Sequence, residues 1–222
     1  IYGPEWVHEF VATLRQVARF NLKFPMEAVE LAHGSWVRFD GYTVSAFAVN
    51  HGLPALGFVL EEDPRPGRFD RERAIELGVP PGPLFGRLQR GETVKVGSGE
   101  SSVEIRPDQV MGVQRPGRKI VYTGDTRSVH HGIMDIAHDA DLLIHDATYD
   151  ESEAARASEF YHATAGQAGE AATALNARTL VLIHTSSRYT DAQAHVSDAR
   201  KKYAGPILVP NDLDMVEVPF RD

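Results

Sequence analysis

The sequence contains no cysteine among its 222 residues. Disulfide bonds and thiolate metal sites are therefore excluded, and a cytoplasmic location is the default expectation. Any metal ion must be held by histidine, aspartate or glutamate, which favours zinc or manganese without separating the two.

Long apolar runs are also missing. No stretch approaches the ~20 apolar residues of a membrane-spanning helix, and the N-terminus lacks the basic and apolar regions of a signal peptide, so we expect no membrane association. The chain does not begin with methionine, and we expect that it was cut or continues upstream. Its length and its 42% of hydrophobic residues suffice for one domain with a substantial core.

Positive charge is in short supply, because the formal net charge is −8. This net charge argues against a protein that binds nucleic acid over most of its surface, but it permits a local basic patch. Residues 64–95 form one, with seven Arg or Lys against four Asp or Glu. Residues 61–95 are also dense in proline and glycine, and long segments of this kind are functional or disordered. We interpret 61–95 as a flexible arm inserted into a single domain of residues 1–222.

Hydrophobic periodicity indicates an early part rich in strands and a late part in which strands alternate with helices. The predicted helices are 4–20, 71–77, 132–138, 164–175 and 191–203. The predicted strands are 36–39, 42–49, 55–60, 119–123, 142–146, 179–183 and 207–209. The first two strands flank an Asp40-Gly41 turn, which is a hairpin signal. The pattern predicts an α/β fold with a mixed sheet covered by helices.

Four polar clusters lie where predicted strands end. They are Asn50-His51-Gly52, Thr123-Gly124-Asp125-Thr126-Arg127, His145-Asp146-Ala147-Thr148 and His184-Thr185-Ser186-Ser187-Arg188-Tyr189. A rigid sheet can hold such side chains at one rim while the following loops stay open to substrate. Two imidazoles and a carboxylate there could bind a divalent cation, and an aspartate could bridge two cations. Such a pair ionises water near neutral pH and stabilises the entering and leaving oxygens of a phosphodiester.

Each cluster also has a structural interpretation. A lone histidine at a strand end is more often a hydrogen-bonded structural residue than a ligand, and Asp125 could serve only its own turn. Spacing alone leaves the metal hydrolase and the structural interpretation open. Four histidines away from the clusters are assigned to the surface or to ordinary hydrogen bonds, namely His8, His33, His138 and His195.

The ordered set of motifs resembles the ribonuclease Z family, a branch of the metallo-β-lactamase superfamily. The resemblance is carried by residues 49–58, 122–127, 145–148, 162–165 and 183–189, and by a Gly-Pro segment, 78–84, like that of the family's tRNA-binding arm. It runs in the family's order from Ile1 to about Tyr189. It implies a metallo-β-lactamase-like αββα sandwich with mixed sheets, incomplete at its N-terminus.

The resemblance implies a role for each matching residue. His51 would bind a first divalent cation, Asp125 would bridge two cations, and His184 would bind the second, with Zn²⁺ preferred and Mn²⁺ as the alternative. His162, paired with Asp146, would assist proton transfer to the leaving oxygen.

Contacts with RNA are implied in the same way. The implied tRNA-binding residues of the arm are Gly78, Pro80, Gly82, Pro83, Arg87 and Arg90. Arg127 and Arg188 would orient loops at the rim or contact phosphate.

The activity implied is that of an endoribonuclease that removes the 3′ trailer of precursor tRNA and leaves a 3′-hydroxyl. The arm would grip the folded tRNA by shape and backbone contacts, as is usual for structured RNA. The resemblance further implies a homodimer in which the arm of one subunit serves the active site of the other.

Two departures from the family's pattern matter. Asp146 stands where the family usually has glutamate, so we expect a longer hydrogen bond to His162 or a shifted loop. The family's His-x-His-x-Asp-His segment does not occur in this chain, and we expect the chain as it stands to be inactive. The alternatives are a catalytically incomplete tRNA-binding fragment and another metallo-β-lactamase-fold phosphodiesterase acting on small esters. The Gly-Pro arm and His162-Ala163-Thr164 disfavour the second alternative.

Overall fold

The computed structural model describes residues 1–18, 23–99, 102–127 and 133–221. The chain forms two compact units. Unit 1 comprises Ile1–Glu62 and Arg118–Phe220, and unit 2 comprises Asp63–Gly117 together with the C-terminal end. Unit 2 contains most of the segment predicted as an arm and extends beyond it to Gly117.

The described strands follow the chain in this order: β1 Tyr2–Gly3, β2 Val29–Glu30, β3 Trp36–Phe39, β4 Tyr42–Ala48, β5 Leu56–Glu62, β6 Val94–Val96, β7 Val103–Ile105, β8 Lys119–Tyr122, β9 Leu142–Asp146, β10 Leu180–Ile183 and β11 Ile207–Leu208. The described α-helices are α1 Val7–Ala18, α2 Arg71–Glu76, α3 Pro83–Gln89, α4 Met134–Ala137, α5 Ala154–Glu159, α6 Ala165–Ala174 and α7 Gln193–Arg200. The seven predicted strands are present within two residues of their expected ends.

A seven-stranded mixed sheet organises unit 1, in the order β11-β10-β9-β8-β5-β4-β3. Strands β8 to β11 are parallel to one another, whereas β3, β4, β5 and β8 pair antiparallel. Two successive antiparallel pairings make β4 run in the same direction as β8. The carboxyl ends of β4, β8, β9 and β10 therefore lie along one edge of the sheet.

Helix α6 packs against β9, β10 and α7. Its buried face is made of small residues, including Ala165, Ala168 and Ala172. Gly169 lets α7 approach closely, because a Cβ at this position would lie 2.6 Å from the carbonyl oxygen of Ala199. Thr164 begins the helix with a reciprocal capping box to Gln167, which satisfies two backbone donors that a helix end leaves open.

The N-terminal helix differs from its prediction. Helix α1 begins at Val7 rather than Pro4, because Trp6 has a φ of +71° and leaves the helical region. Only Val7 and Val11 are buried, whereas Trp6, Phe10 and Val17 are at least 60% exposed. Residues 19 and 20 of the predicted helix lie outside the described residues.

Unit 2 has a hydrophobic cluster of its own. Its buried members are Ala74, Val79, Leu88, Val94, Ile105 and Val110. They come from α2, from α3, from the antiparallel pair β6–β7 and from the connecting turns. Helix α3 was not predicted as an element, because Pro83 and Gly86 are typical of loops. Short strands were expected after residue 95, and β6 and β7 give them their bounds. No helix among the described residues is long and apolar enough to cross a membrane.

Candidate metal centre

Side chains from four strand ends converge at the edge of the sheet in unit 1. His51 follows β4 by three residues, Asp125 follows β8 by three, and His184 follows β10 directly. Asp146 is the last residue of β9. The shared direction of these strands explains why clusters far apart in the sequence meet at one place.

His51 and His184 both face the same carboxylate oxygen. Nε2 of His51 lies 3.9 Å from Oδ2 of Asp125, and Nε2 of His184 lies 3.5 Å from it. All three side chains are partly open to solvent, with exposed fractions between 29% and 46%. The structure thus brings together the three residues that the sequence suggested as ligands.

The Nδ1 atoms of both imidazoles have other partners. Nδ1 of His51 donates to the carbonyl oxygen of Tyr161 at 3.0 Å, and Nδ1 of His184 lies 2.8 Å from Oγ1 of Thr148. Gly52 allows the first contact, because it has a φ of +75° and a Cβ there would approach the Tyr161 ring to 3.0 Å. Metal-binding histidines commonly use one ring nitrogen for such a partner and the other for the ion.

The donor set fits a metal ion. Ligand atoms at 2.0–2.2 Å from a tetrahedral zinc lie roughly 3.3–3.6 Å apart, and the Nε2–Oδ2 separations of 3.5 and 3.9 Å are close to this spacing. Imidazole nitrogen and carboxylate oxygen suit Zn²⁺ and also Mn²⁺. His184 has a φ of +62°, a strained conformation outside glycine that tends to occur at functional sites.

Asp146 and His162 form a second, largely buried pair. Nδ1 of His162 donates to Oδ2 of Asp146 at 2.8 Å, so the shorter aspartate reaches the imidazole with a bond of ordinary length. Asp146 is fully buried, and its oxygens accept from both the Thr126 and Thr148 backbone N–H groups. This pair does not require the longer bond expected from the missing methylene.

His162 also lies close to the candidate ligands. One of its donor atoms lies within 4.8 Å of donor atoms of His51 and Asp125. Its ring stacks on that of His184 at a centroid distance of 4.9 Å. A second group of potential ligands, Asp146 with His162 and His184, is also compact. We interpret this second group as a hydrogen-bond network, because the Asp146 oxygens are already occupied by N–H and O–H donors.

The two rim arginines have protein partners. Arg127 lies over the Tyr161 ring at 4.0 Å and donates to the carbonyl of Ser158. Arg188 lies 5.2 Å from the Tyr149 ring centroid, and its Nε donates to Ser186. Both roles suggested for these arginines, orienting the loops and contacting phosphate, stay predictions.

The residues predicted to bind tRNA lie in unit 2 and are exposed. Gly78 and Gly82 have positive φ angles of +83° and +151°, and Pro83 occupies the first turn of α3. Arg87 and Arg90 both pair with Glu92, at 2.8 and 3.2 Å. Their role in binding RNA stays a prediction.

Sequence reasoning did not single out Thr148 or Tyr161. Each contacts a ligand histidine from far along the chain, by 36 and 110 residues respectively. The polar cluster at 145–148 was the available signal for Thr148, whereas nothing in the sequence marks the backbone carbonyl of Tyr161 as a partner of His51.

Two further histidines are fully buried. Burial lowers the pKa of His145, and His195 lies in the interior rather than on the surface.

Comparisons with known proteins agree with this architecture. A family model described as a beta-lactamase superfamily domain matches residues 93–185. The structure of human tRNase Z, short form, superposes with a TM-score of 0.63 at 20% identity, over 99% of this chain and 68% of that one. Zn²⁺-bound PqqB from Methylobacterium extorquens gives 0.54 at 12% identity, over 96% and 64%. The fold is therefore that of the metallo-β-lactamase superfamily.

Relatives in sequence define the family more closely. Ribonuclease Z of Methanosarcina acetivorans is 44% identical over all of this chain, which spans 71% of that relative's length. Ribonuclease Z of Myxococcus xanthus is 43% identical with the same coverage. The chain belongs to the ribonuclease Z family.

Proposed function

We propose that the protein is the metal-dependent endoribonuclease that removes the 3′ trailer of precursor tRNA and leaves a 3′-hydroxyl. The observation that carries this proposal is the convergence of His51, His184 and Asp125 beside the Asp146–His162 pair, in a chain of the ribonuclease Z family. The cytoplasmic location and the homodimer belong to the same proposal and rest on the family resemblance.

The residues divide the chemistry between them. When bound, two divalent cations, Zn²⁺ by preference, would supply an ionised water and charge stabilisation at the phosphodiester. His51 and Asp125 would hold one cation, and Asp125 and His184 the other. The Nδ1 of His162 is committed to Asp146, so its Nε2 is the atom that can protonate the O3′ oxygen leaving the phosphorus.

Unit 2 would supply the grip on the substrate. Its predicted contact residues are exposed, and residues 64–95 are locally basic in an acidic protein. Backbone recognition of a folded RNA needs such a surface, since phosphate contacts supply most of the sequence-independent affinity. A hydrolase of small esters has no use for it.

Cleavage of a precursor tRNA tests the proposal. Protein that also carries the family's His-x-His-x-Asp-His segment, supplied with Zn²⁺ or Mn²⁺, should release the trailer and leave a 3′-hydroxyl that poly(A) polymerase can extend. Asp125→Ala should abolish this activity, and Thr190→Ala, an exposed neighbour of the rim, should serve as the control. Hydrolysis of small phosphodiesters without any cleavage of precursor tRNA would point to the small-ester phosphodiesterase instead.

Segment 1–222 by itself is proposed to be inactive. If His162 serves proton transfer, the predicted ligands among the described residues of this segment leave each of two cations with two protein groups, and catalytic zinc sites usually have three. Weak metal binding with retained RNA binding is the behaviour expected of this segment.

A further inference from the structure

Thr148 contacts both the Asp146–His162 pair and the candidate ligand His184. Its Oγ1 is 2.7 Å from Oδ1 of Asp146 and 2.8 Å from Nδ1 of His184. The residue is only 5% exposed, so solvent has little access to this bridge. A hydroxyl carries a single proton, which means that one of the two contacts must use that proton and the other must use the oxygen as acceptor.

The surroundings of Asp146 fix the direction of both hydrogen bonds. Its Oδ1 receives the Thr148 N–H at 2.9 Å, and its Oδ2 receives the Thr126 N–H at 2.9 Å and Nδ1 of His162 at 2.8 Å. A carboxylate only accepts hydrogen bonds, so the hydroxyl proton of Thr148 also points to Asp146. The oxygen of Thr148 is then left to accept from Nδ1–H of His184.

We propose that Thr148 is a positioning residue that holds His184 in its Nδ1–H tautomer. In that tautomer the Nε2 lone pair is free on the side of Asp125, 3.5 Å away. The inference rests on the proposed metal centre. Thr148 would also link the Asp146–His162 pair to the candidate ligands, because the Asp146 carboxylate would orient His162 directly and His184 through Thr148.

His51 provides an internal comparison. It reaches the same Nδ1–H tautomer by donating to the backbone carbonyl of Tyr161. A substitution at Thr148 does not remove that carbonyl. If a substitution at Thr148 changes the tautomer of His184 but not that of His51, the cause is the lost hydroxyl and not a general loss of structure at the site.

The tautomer can be measured in the unaltered protein. Long-range ¹H–¹⁵N correlation spectra of the metal-free protein, labelled at its histidine ring nitrogens, distinguish a protonated from an unprotonated nitrogen. We expect a protonated Nδ1 and an unprotonated Nε2 for His184. The opposite pattern would overturn the proposal without any variant.

Three variants sharpen the test. Thr148→Val keeps the shape but removes the hydroxyl, Thr148→Ser keeps the hydroxyl, and Thr173→Val removes an exposed hydroxyl that donates to the Lys202 carbonyl on the far side of α6. In Thr148→Val the His184 ring should populate its other tautomer, and Zn²⁺ affinity measured against a competing chelator should fall by about 10–100-fold. Thr148→Ser should restore both properties, and Thr173→Val should change neither.

Three results would contradict this role. They are wild-type tautomer and affinity in Thr148→Val, equal losses in Thr148→Val and Thr148→Ser, and an equal spectral change at His51. None of these measurements involves RNA. If protein that also carries the His-x-His-x-Asp-His segment shows the expected tautomer and Zn²⁺ affinity but fails to cleave precursor tRNA, the proposed function is overturned and the role of Thr148 stays supported.

Discussion

At the scale of single residues, the proposed function assigns metal binding and proton transfer to different atoms of the candidate site. His162 decides whether this assignment holds, because it is hydrogen-bonded to Asp146 and also has a donor atom within 4.8 Å of donor atoms of His51 and Asp125. Its bond to Asp146 resembles the pairs that orient general acids and bases, whereas His51 and His184 direct Nε2 at a shared carboxylate.

In protein that also carries the His-x-His-x-Asp-His segment, His162→Ala should therefore lower kcat on precursor tRNA by about 10²–10⁴ with little loss of metal. The measurements are single-turnover cleavage and elemental analysis of the purified protein. His8→Ala, at an exposed position of α1, is the control. Loss of a full metal equivalent would make His162 a ligand rather than a proton donor.

Two buried histidines predict a dependence of stability on pH. Burial lowers the pKa of both His145 and His195, because a charged imidazolium is costly to desolvate. The unfolded chain, with histidine pKa values near 6.5, then binds more protons than the folded chain. The resulting stability is present above about pH 6.5 and is lost as the pH falls from there toward the lowered values.

Urea unfolding of the metal-free protein at pH 7.5 and pH 5.5 measures this loss. His195→Phe keeps an aromatic ring against Tyr189, whose ring is 4.5 Å away, and should reduce the difference between the two pH values. His8→Ala should leave the difference unchanged. The explanation fails if His195→Phe and the unaltered protein lose the same stability.

At the scale of elements, local signals predicted some boundaries well. Helix α6 lies within one residue of its prediction at both ends, because Thr164 caps its start and Asn176, with a φ of +49°, follows its end. The start of helix α1 was predicted three residues too early, because no local sequence pattern indicates the left-handed conformation of Trp6. Helix α3 was missed because Gly86 in its interior and Pro83 in its first turn are typical of loops.

The antiparallel pairing of β5 with β8 gives an element-scale prediction. Glu61 and Lys119 are in register, and the Glu62 N–H donates to the Arg118 carbonyl at 2.9 Å. Residues 63–117 can therefore be replaced by an Asn-Gly turn, which favours a two-residue hairpin. Unit 1 should still fold around its own core and bind precursor tRNA much more weakly. With the His-x-His-x-Asp-His segment also present, the variant should largely keep its activity on bis(p-nitrophenyl) phosphate.

Filter binding of precursor tRNA and spectrophotometric hydrolysis measure these two properties. The double variant Arg87→Ala, Arg90→Ala in the intact protein is the milder comparison, and its binding should depend less steeply on salt. Equal loss of both activities on replacement of 63–117 would show that the segment supports the fold of unit 1 instead of binding RNA.

At the scale of the whole molecule, the candidate site depends on the order of strands in the sheet. The strand-end positions of His51, Asp125 and His184 follow from the sequence pattern, but their convergence requires that β4, β8 and β10 run in one direction. Periodicity carries no information on strand order. The contacts of Thr148 and Tyr161 with the two histidines depend on the same order, which explains why these contacts were not foreseen.

Exposed apolar side chains are a second whole-molecule feature. Trp36 lies on β3, an edge strand of the seven-stranded sheet, and is 66% exposed. Exposed apolar edges favour pairing with another chain. Trp36→Lys should therefore increase the monomer fraction seen by light scattering. Val113→Lys, which replaces an isolated exposed residue of unit 2, should not, and equal behaviour of the two variants would exclude the edge as the cause.

The last prediction concerns the metal content of segment 1–222 expressed by itself. With the proposed ligands, His51 with Asp125 and Asp125 with His184, each of two cations would have two protein ligands, fewer than the three usual for catalytic zinc. After desalting, elemental analysis should find less than one equivalent of Zn²⁺, and Asp125→Ala should remove what remains because both cations share this carboxylate. Trailer cleavage should be absent under the same conditions. Two tightly held equivalents with normal cleavage would mean that other groups of the segment, with His162 the first candidate, complete the ligand set.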